Sequence, residues 1–126
     1  MSYDLVKEVT PEVAICSFSS SGSGNVTFVF DSGSFTPSIA TTVLTLPAGY
    51  EYHIISSPAA VSAPSTVNHI VNGVSETGYA IISTGFASGL DQIQSSIIAD
   101  ASVTFSLACN SATGVNSRLQ IWRFPL

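Results

Sequence analysis

Two histidines, two cysteines and eight carboxylates are the side chains of widest chemical reach in this 126-residue chain, set among many serine and threonine hydroxyls. A serine nucleophile needs a base that a third group orients, and only His53 and His69 are available, with no nucleophile-elbow pattern around any serine. Glu51, Glu76, Asp91 and Asp100 could be brought together by folding as a glycosidase pair, but nothing in their spacing selects two of them. No Cys-x-x-Cys or His-x-x-x-His spacing exists to hold a metal. The run S-S-S-G-S-G, Ser19 to Gly24, lacks a complete phosphate-loop or dinucleotide fingerprint and reads as a loop. The expectation is a protein with no catalytic centre, no cofactor and no metal.

Cys16 and Cys109 each fall within an apolar strand pattern. In a reducing compartment such unspaced cysteines are more often buried thiols than a disulfide. Tyr50, Tyr52 and Phe86 would stack on sugars if exposed, although Tyr50 and Tyr52 alternate in phase with Ile54 and so read as core.

The elements that must position these residues are strands. Clean period-two alternation runs through Asn25–Asp31, with Val26, Phe28 and Phe30 on one face, and through Val103, Phe105, Leu107 and Cys109. Glu12–Phe18, Thr41–Leu46, Tyr50–Ser57, Thr66–Val71, Tyr79–Thr84 and Ile93–Ala99 complete the set; D-S-G-S-F-T-P-S and Asn110–Asn116 read as loops. In Tyr50–Ser57, Tyr50, Tyr52 and Ile54 share the face opposite Glu51, His53 and Ile55. Two turn signals compete after Val71: Asn72-Gly73 and Glu76-Thr77-Gly78, of which the second is favoured. Eight or more short strands and no sustained helical period predict an all-β, two-layer antiparallel sandwich or jelly roll, with a closed barrel as the alternative. The chain divides into an arm, first strand and Ser/Gly-rich loop over 1–24 and a core over 25–126, one domain overall.

The charged fraction is 9% and the net charge −5, with Lys7, Arg118 and Arg123 the only fixed cations. That excludes a basic patch for nucleic acid. No apolar run reaches the ~20 residues of a membrane helix, and the N-terminus is too charged for a signal peptide, so no membrane partner is expected. A surface so poor in charge belongs either in an assembly or in a hydroxyl-rich virion or extracellular coat.

The closing stretch S-R-L-Q-I-W-R-F-P-L carries apolar bulk on both faces: Leu119 and Ile121 on one, Gln120, Trp122 and Phe124 on the other. A strand apolar on both faces is covered twice. The second cover is either another subunit, which makes Gln120, Trp122 and Phe124 interface residues, or a cap or loop of the same sandwich.

The ordered appearance of L-T-L-P-A-G-Y-E-Y-H-I-I-S-S, V-N-G-V-S-E-T-G-Y-A-I-I-S, S-S-I-I-A-D-A-S-V-T-F-S-L-A-C-N and S-R-L-Q-I-W-R-F, across about Asn25 to Phe124, resembles bacteriophage structural proteins with a tumour necrosis factor-like or complement-like jelly roll. The resemblance implies a homotrimer whose closing strand lies near the three-fold interface, on the virion, as a capsid decoration (cement) protein on the major capsid protein shell or as a receptor- or carbohydrate-binding tip of a tail fibre. Such a protein would be assembled in the host cytoplasm. Met1 to Pro11, outside the resemblance and dense in charge, has the composition of a segment ordered by a partner, so Tyr3, Asp4, Lys7 and Glu8 are expected to attach to the shell. A fibre tip requires a shaft, and no stem precedes the first clean strand, which favours decoration.

Overall fold

The computed structural model describes residues 10–58, 65–82, 92–109 and 113–126, and among them every regular element is a strand. In chain order these are β1 (Glu12–Ser20), β2 (Gly24–Asn25), β3 (Thr27–Gly33), β4 (Ser38–Ala40), β5 (Val43–Leu46), β6 (Tyr50–Ser57), β7 (Ser65–Val71), β8 (Val74–Ile82), β9 (Ile93–Ala99), β10 (Val103–Cys109) and β11 (Thr113–Pro125). One sheet has the order β3-β1-β11-β6-β9 and the other β4-β5-β10-β7-β8, with β2 paired to β10. All pairings are antiparallel, so the protein is an all-β sandwich of two antiparallel sheets. We call them the first and second sheets.

Alternation decides what lies between them. The first sheet turns Ala14, Cys16, Phe18, Phe28, Tyr52, Ile54, Leu119 and Ile121 inward, and the second turns Leu44, Leu46, Val67, Phe105 and Leu107 to meet them. Leu44 and Leu46 in β5, and the Val103-Phe105-Leu107-Cys109 series in β10, are buried as their period requires. Cys16 and Cys109 are free, buried thiols. Burial, with the charge of Asp31 adding to it, pushes the Cys16 thiol up to about 11, which keeps it protonated and unreactive.

Four local expectations are corrected. The β7–β8 hairpin turns at Asn72-Gly73, not at Glu76-Thr77-Gly78, so β8 starts at Val74 instead of Tyr79. Asn72 and Gly73 both have positive φ, 51° and 79°, as a tight type I′ hairpin demands. Asn72 is also held from outside the hairpin: its N–H donates to the Thr104 carbonyl at 2.8 Å and its Oδ1 accepts from the Thr104 N–H at 3.0 Å. Glu76, Thr77 and Gly78 instead form a bulge, three residues of β8 standing between the Asn68–Tyr79 and Ile70–Ser75 pairs, where β7 has only His69. A glycine that reads as a turn is also the residue a bulge uses.

The expected strand Asn25–Asp31 is split at Val26, because the chain changes sheets there: β2 pairs with β10 and β3 with β1, while the Val26 N–H donates to Leu107. The stretch D-S-G-S-F-T-P-S is not all loop, since β3 runs on to Gly33 and the short β4 begins at Ser38. Finally, β11 begins at Thr113, inside the expected loop Asn110–Asn116, because Ser20 of β1 offers Thr113 a ladder partner. A partner strand overrides weak local turn signals.

Among the described glycines, Gly33 is the one pressed against another strand's backbone. Its φ is +147°, and a Cβ there would strike the Val13 carbonyl oxygen and lie 2.8 Å from the Cα of Ala14. Next to it the β1–β3 register shifts between Ile15 and Cys16, and Ser34 and Val13 exchange hydrogen bonds. Gly33→Ala should therefore cost about 2 kcal/mol, from strain together with a clash that no side-chain rotation relieves. Equilibrium urea unfolding would read it, and an unchanged midpoint would refute the close approach.

Candidate subunit interface

The central strand of the first sheet is β11, hydrogen-bonded to β1 on one side and β6 on the other. Register places its outward side chains in rows. Phe124 stands beside Glu51 and then Ile98; Val13, Trp122 and His53 form the next row; Ile15, Gln120 and Ile55 the next. Val13, Ile15, Ile55, Trp122 and Phe124 are all only half-buried, and Ile98 is 65% exposed. With strands ~4.8 Å apart and outward rows ~6.8 Å apart, these rows make an apolar patch on the order of 15 Å on a side.

Trp122, Gln120, His53 and Glu51 pair polar atoms within the patch. The Trp122 indole N–H donates to Gln120 Oε1 at 3.1 Å. His53 Nε2 lies 2.6 Å from Glu51 Oε2, and its ring meets Phe124 edge-on with centroids 5.3 Å apart. Beyond the Gln120 row the face turns polar, with Ser17, Arg118 and Asp31; Ser17 Oγ donates to Asp31, and Arg118 Nε is 3.9 Å from it.

Gln120, Trp122 and Phe124, picked out in the sequence, thus share one face and one strand. Val13 and Ile15 were missed as members of the patch. The signal was present: E-V-A-I-C has apolar residues in both phases, Ala14 and Cys16 inward and Val13 and Ile15 outward. Tyr3, Asp4, Lys7 and Glu8 lie outside the described residues.

The end of the sandwich is closed by Arg123, one residue from Trp122 and facing the other way. Its guanidinium sits 3.9 Å from the Phe35 ring centroid and 4.2 Å from that of Tyr50, while Nε donates to Glu12 Oε1 at 2.9 Å. Tyr52 is fully buried, and its hydroxyl donates to the Pro47 carbonyl at 2.6 Å. Burial raises the Tyr52 pKa, against the opposing effect of Arg123. Two of the three candidate sugar platforms are therefore engaged in packing; Phe86 lies outside the described residues.

A second polar cluster sits in the core. The two ring nitrogens of His69 lie 2.7 Å from Ser56 Oγ and 2.7 Å from Ser95 Oγ, the Nε2 and Nδ1 contacts respectively. These are the distances a nucleophile, a base and an orienting group would show, but Ser56 and His69 are both 0% exposed, so neither meets a substrate in this conformation. The grouping was not legible in the sequence, because it joins three strands and two sheets. A concavity of about 420 Å³ lies at the Ser19–Ser23 loop with Asn25 and Thr27, and offers hydroxyls without a titratable group. Of the four carboxylates weighed as a pair, Glu51 and Asp100 stand at opposite kinds of site, one on the outer face of β6 and one in the exposed turn after β9.

No family model matches the chain, and no curated protein matches it.

Proposed function

We propose that the protein is a virion structural protein, a homotrimeric capsid decoration protein that docks on the major capsid protein shell. The observation that carries this reading is the outer face of the first sheet: a half-exposed apolar patch centred on Trp122 and Phe124, in a chain with 9% charged residues. A central strand with bulk on both faces needs a second cover, and the patch, modest in area, is bordered by polar residues as an interaction surface is. In this reading the second cover is another copy of the chain, with Gln120, Trp122 and Phe124 between subunits.

The strand order supports a jelly roll. Successive strands from β5 to β11 alternate between the two sheets except at the β7–β8 hairpin, and the sheets pair β1-β11-β6-β9 and β5-β10-β7-β8. The role is structural and not catalytic; the burial of Ser56 and His69 is consistent with this. The engagement of Tyr50 and Tyr52 in packing favours a decoration protein over a carbohydrate-binding fibre tip. Attachment is assigned to Tyr3, Asp4, Lys7 and Glu8.

Native mass spectrometry at micromolar concentration should give a trimer, and purified protein mixed with undecorated shells should bind saturably and almost independently of salt, since apolar contact is little screened. A stable monomer would overturn the trimer. Binding to host cells that free glycan competes away, with none to shells, would overturn the decoration role.

A further inference from the structure

The Ser56–His69–Ser95 bridge joins three strands across the sandwich: His69 belongs to β7 of the second sheet, Ser56 to β6 and Ser95 to β9 of the first. The bulge in β8 falls opposite His69. Bulges re-aim side chains, and this imidazole ends fully buried with its ring edge-on to Phe105, centroids 5.0 Å apart. A neutral imidazole suits the site, because one ring nitrogen donates to a hydroxyl while the other accepts from the second. A protonated ring would donate at both nitrogens and place a cation in a core of hydrocarbon and hydroxyl.

We propose that this bridge is an acid latch: it holds the two sheets together at neutral pH, and proton uptake at His69 releases β7 from β6 and β9. The groups facing the imidazole are consistent with that. The first sheet presents the Ser56 and Ser95 hydroxyls, and β10 presents the Phe105 ring and, farther along, the Cys109 thiol, which donates to the Gly22 and Gly24 carbonyls. On β8 the residues at the register position across from His69 are Glu76, Thr77 and Gly78, so Glu76 is the carboxylate to be controlled. His53 and Glu51 face away, on the outer surface of β6.

Burial lowers the His69 pKa from 6.5 to about 4. The unfolded chain therefore takes up this proton first. The bridge's contribution is complete above about pH 6.5, falls as the pH drops toward 4, and changes no further below it. The latch is independent of the virion reading, since it concerns one subunit.

Urea unfolding at pH 7, 6, 5 and 4 tests it on the full chain. Between pH 7 and pH 4 the unfolding constant of the wild type should rise roughly 100-fold more than that of His69→Gln, which keeps a donor and an acceptor but cannot charge. Glu76→Gln should follow the wild type. Parallel profiles for wild type and His69→Gln, or loss of the effect in Glu76→Gln, would overturn the latch. Should His69→Gln not fold, nitrogen NMR of the wild-type imidazole decides: His69 is expected neutral at pH 5, with amide protection in β6, β7 and β9 falling as it protonates. Titration near the ordinary histidine value with protection retained would overturn the proposal.

Discussion

Trp122→Ala is expected to dissociate the proposed trimer, with a total cost of about 3 to 5 kcal/mol shared between association and folding. The division follows from the geometry. Trp122 is half-buried on the outer face, in register between Val13 of β1 and His53 of β6, and its indole donates to Gln120. Truncation removes that local packing from the single subunit and, in the proposed trimer, also removes the centre of the intersubunit patch. The signature is concentration dependence: wild-type Tm should rise with protein concentration, and the variant's should not. Sedimentation of wild type and variant as the same species would show that the patch is not between subunits. Val13→Ala, at the same row, should act in the same direction with a smaller effect, because less surface is lost.

Arg123→Leu should lower folding stability by about 3 kcal/mol without changing association. Arg123 is the counterpart of Trp122 on the opposite face of β11: its side chain is 14% exposed, held by Glu12 and stacked between Phe35 and Tyr50. Leucine keeps apolar bulk but strands Glu12, and the two rings lose the cation between them. Because the Glu12 side chain stays 35% exposed, water recovers part of its solvation, which holds the cost to the lower end of what a broken buried pair gives. Lysine should recover only part of the loss, since a point charge cannot stack on two rings and reach the carboxylate with the same fork. Chemical unfolding of the three forms at pH 7 would read this; an Arg123→Lys variant as stable as wild type would show that stacking contributes nothing.

The two faces of β11 were legible in the order of the amino acids alone. Leu119 and Ile121 turn inward and Gln120, Trp122 and Phe124 outward, as the pleat dictates. Arg123 falls in the inward phase, yet as a charge it would ordinarily be placed in water. It stays inside because Glu12, 111 residues away, and two aromatic rings arrive around it. The same limit governed the hairpin. Asn72-Gly73 and Glu76-Thr77-Gly78 are both plausible turns by local chemistry, and the choice was made by Thr104 on β10, which bonds Asn72, and by the bulge that absorbs the second signal.

By itself the sequence determined the all-β class, most strand positions and which residues share a face in the cleanly alternating strands, because side-chain alternation is a property of the local pleat and needs no partner. It also determined the absence of a basic surface, since three fixed cations cannot make one wherever they lie. Only the tertiary structure decided who stands beside whom. That Val13, Trp122 and His53 share a row, that His69 reaches Ser56 and Ser95, and that β2 and β3 belong to different sheets all follow from register and strand order. Those are set by the free energy of burying many distant strands at once, a sum to which each short segment contributes too little to reveal its own neighbours.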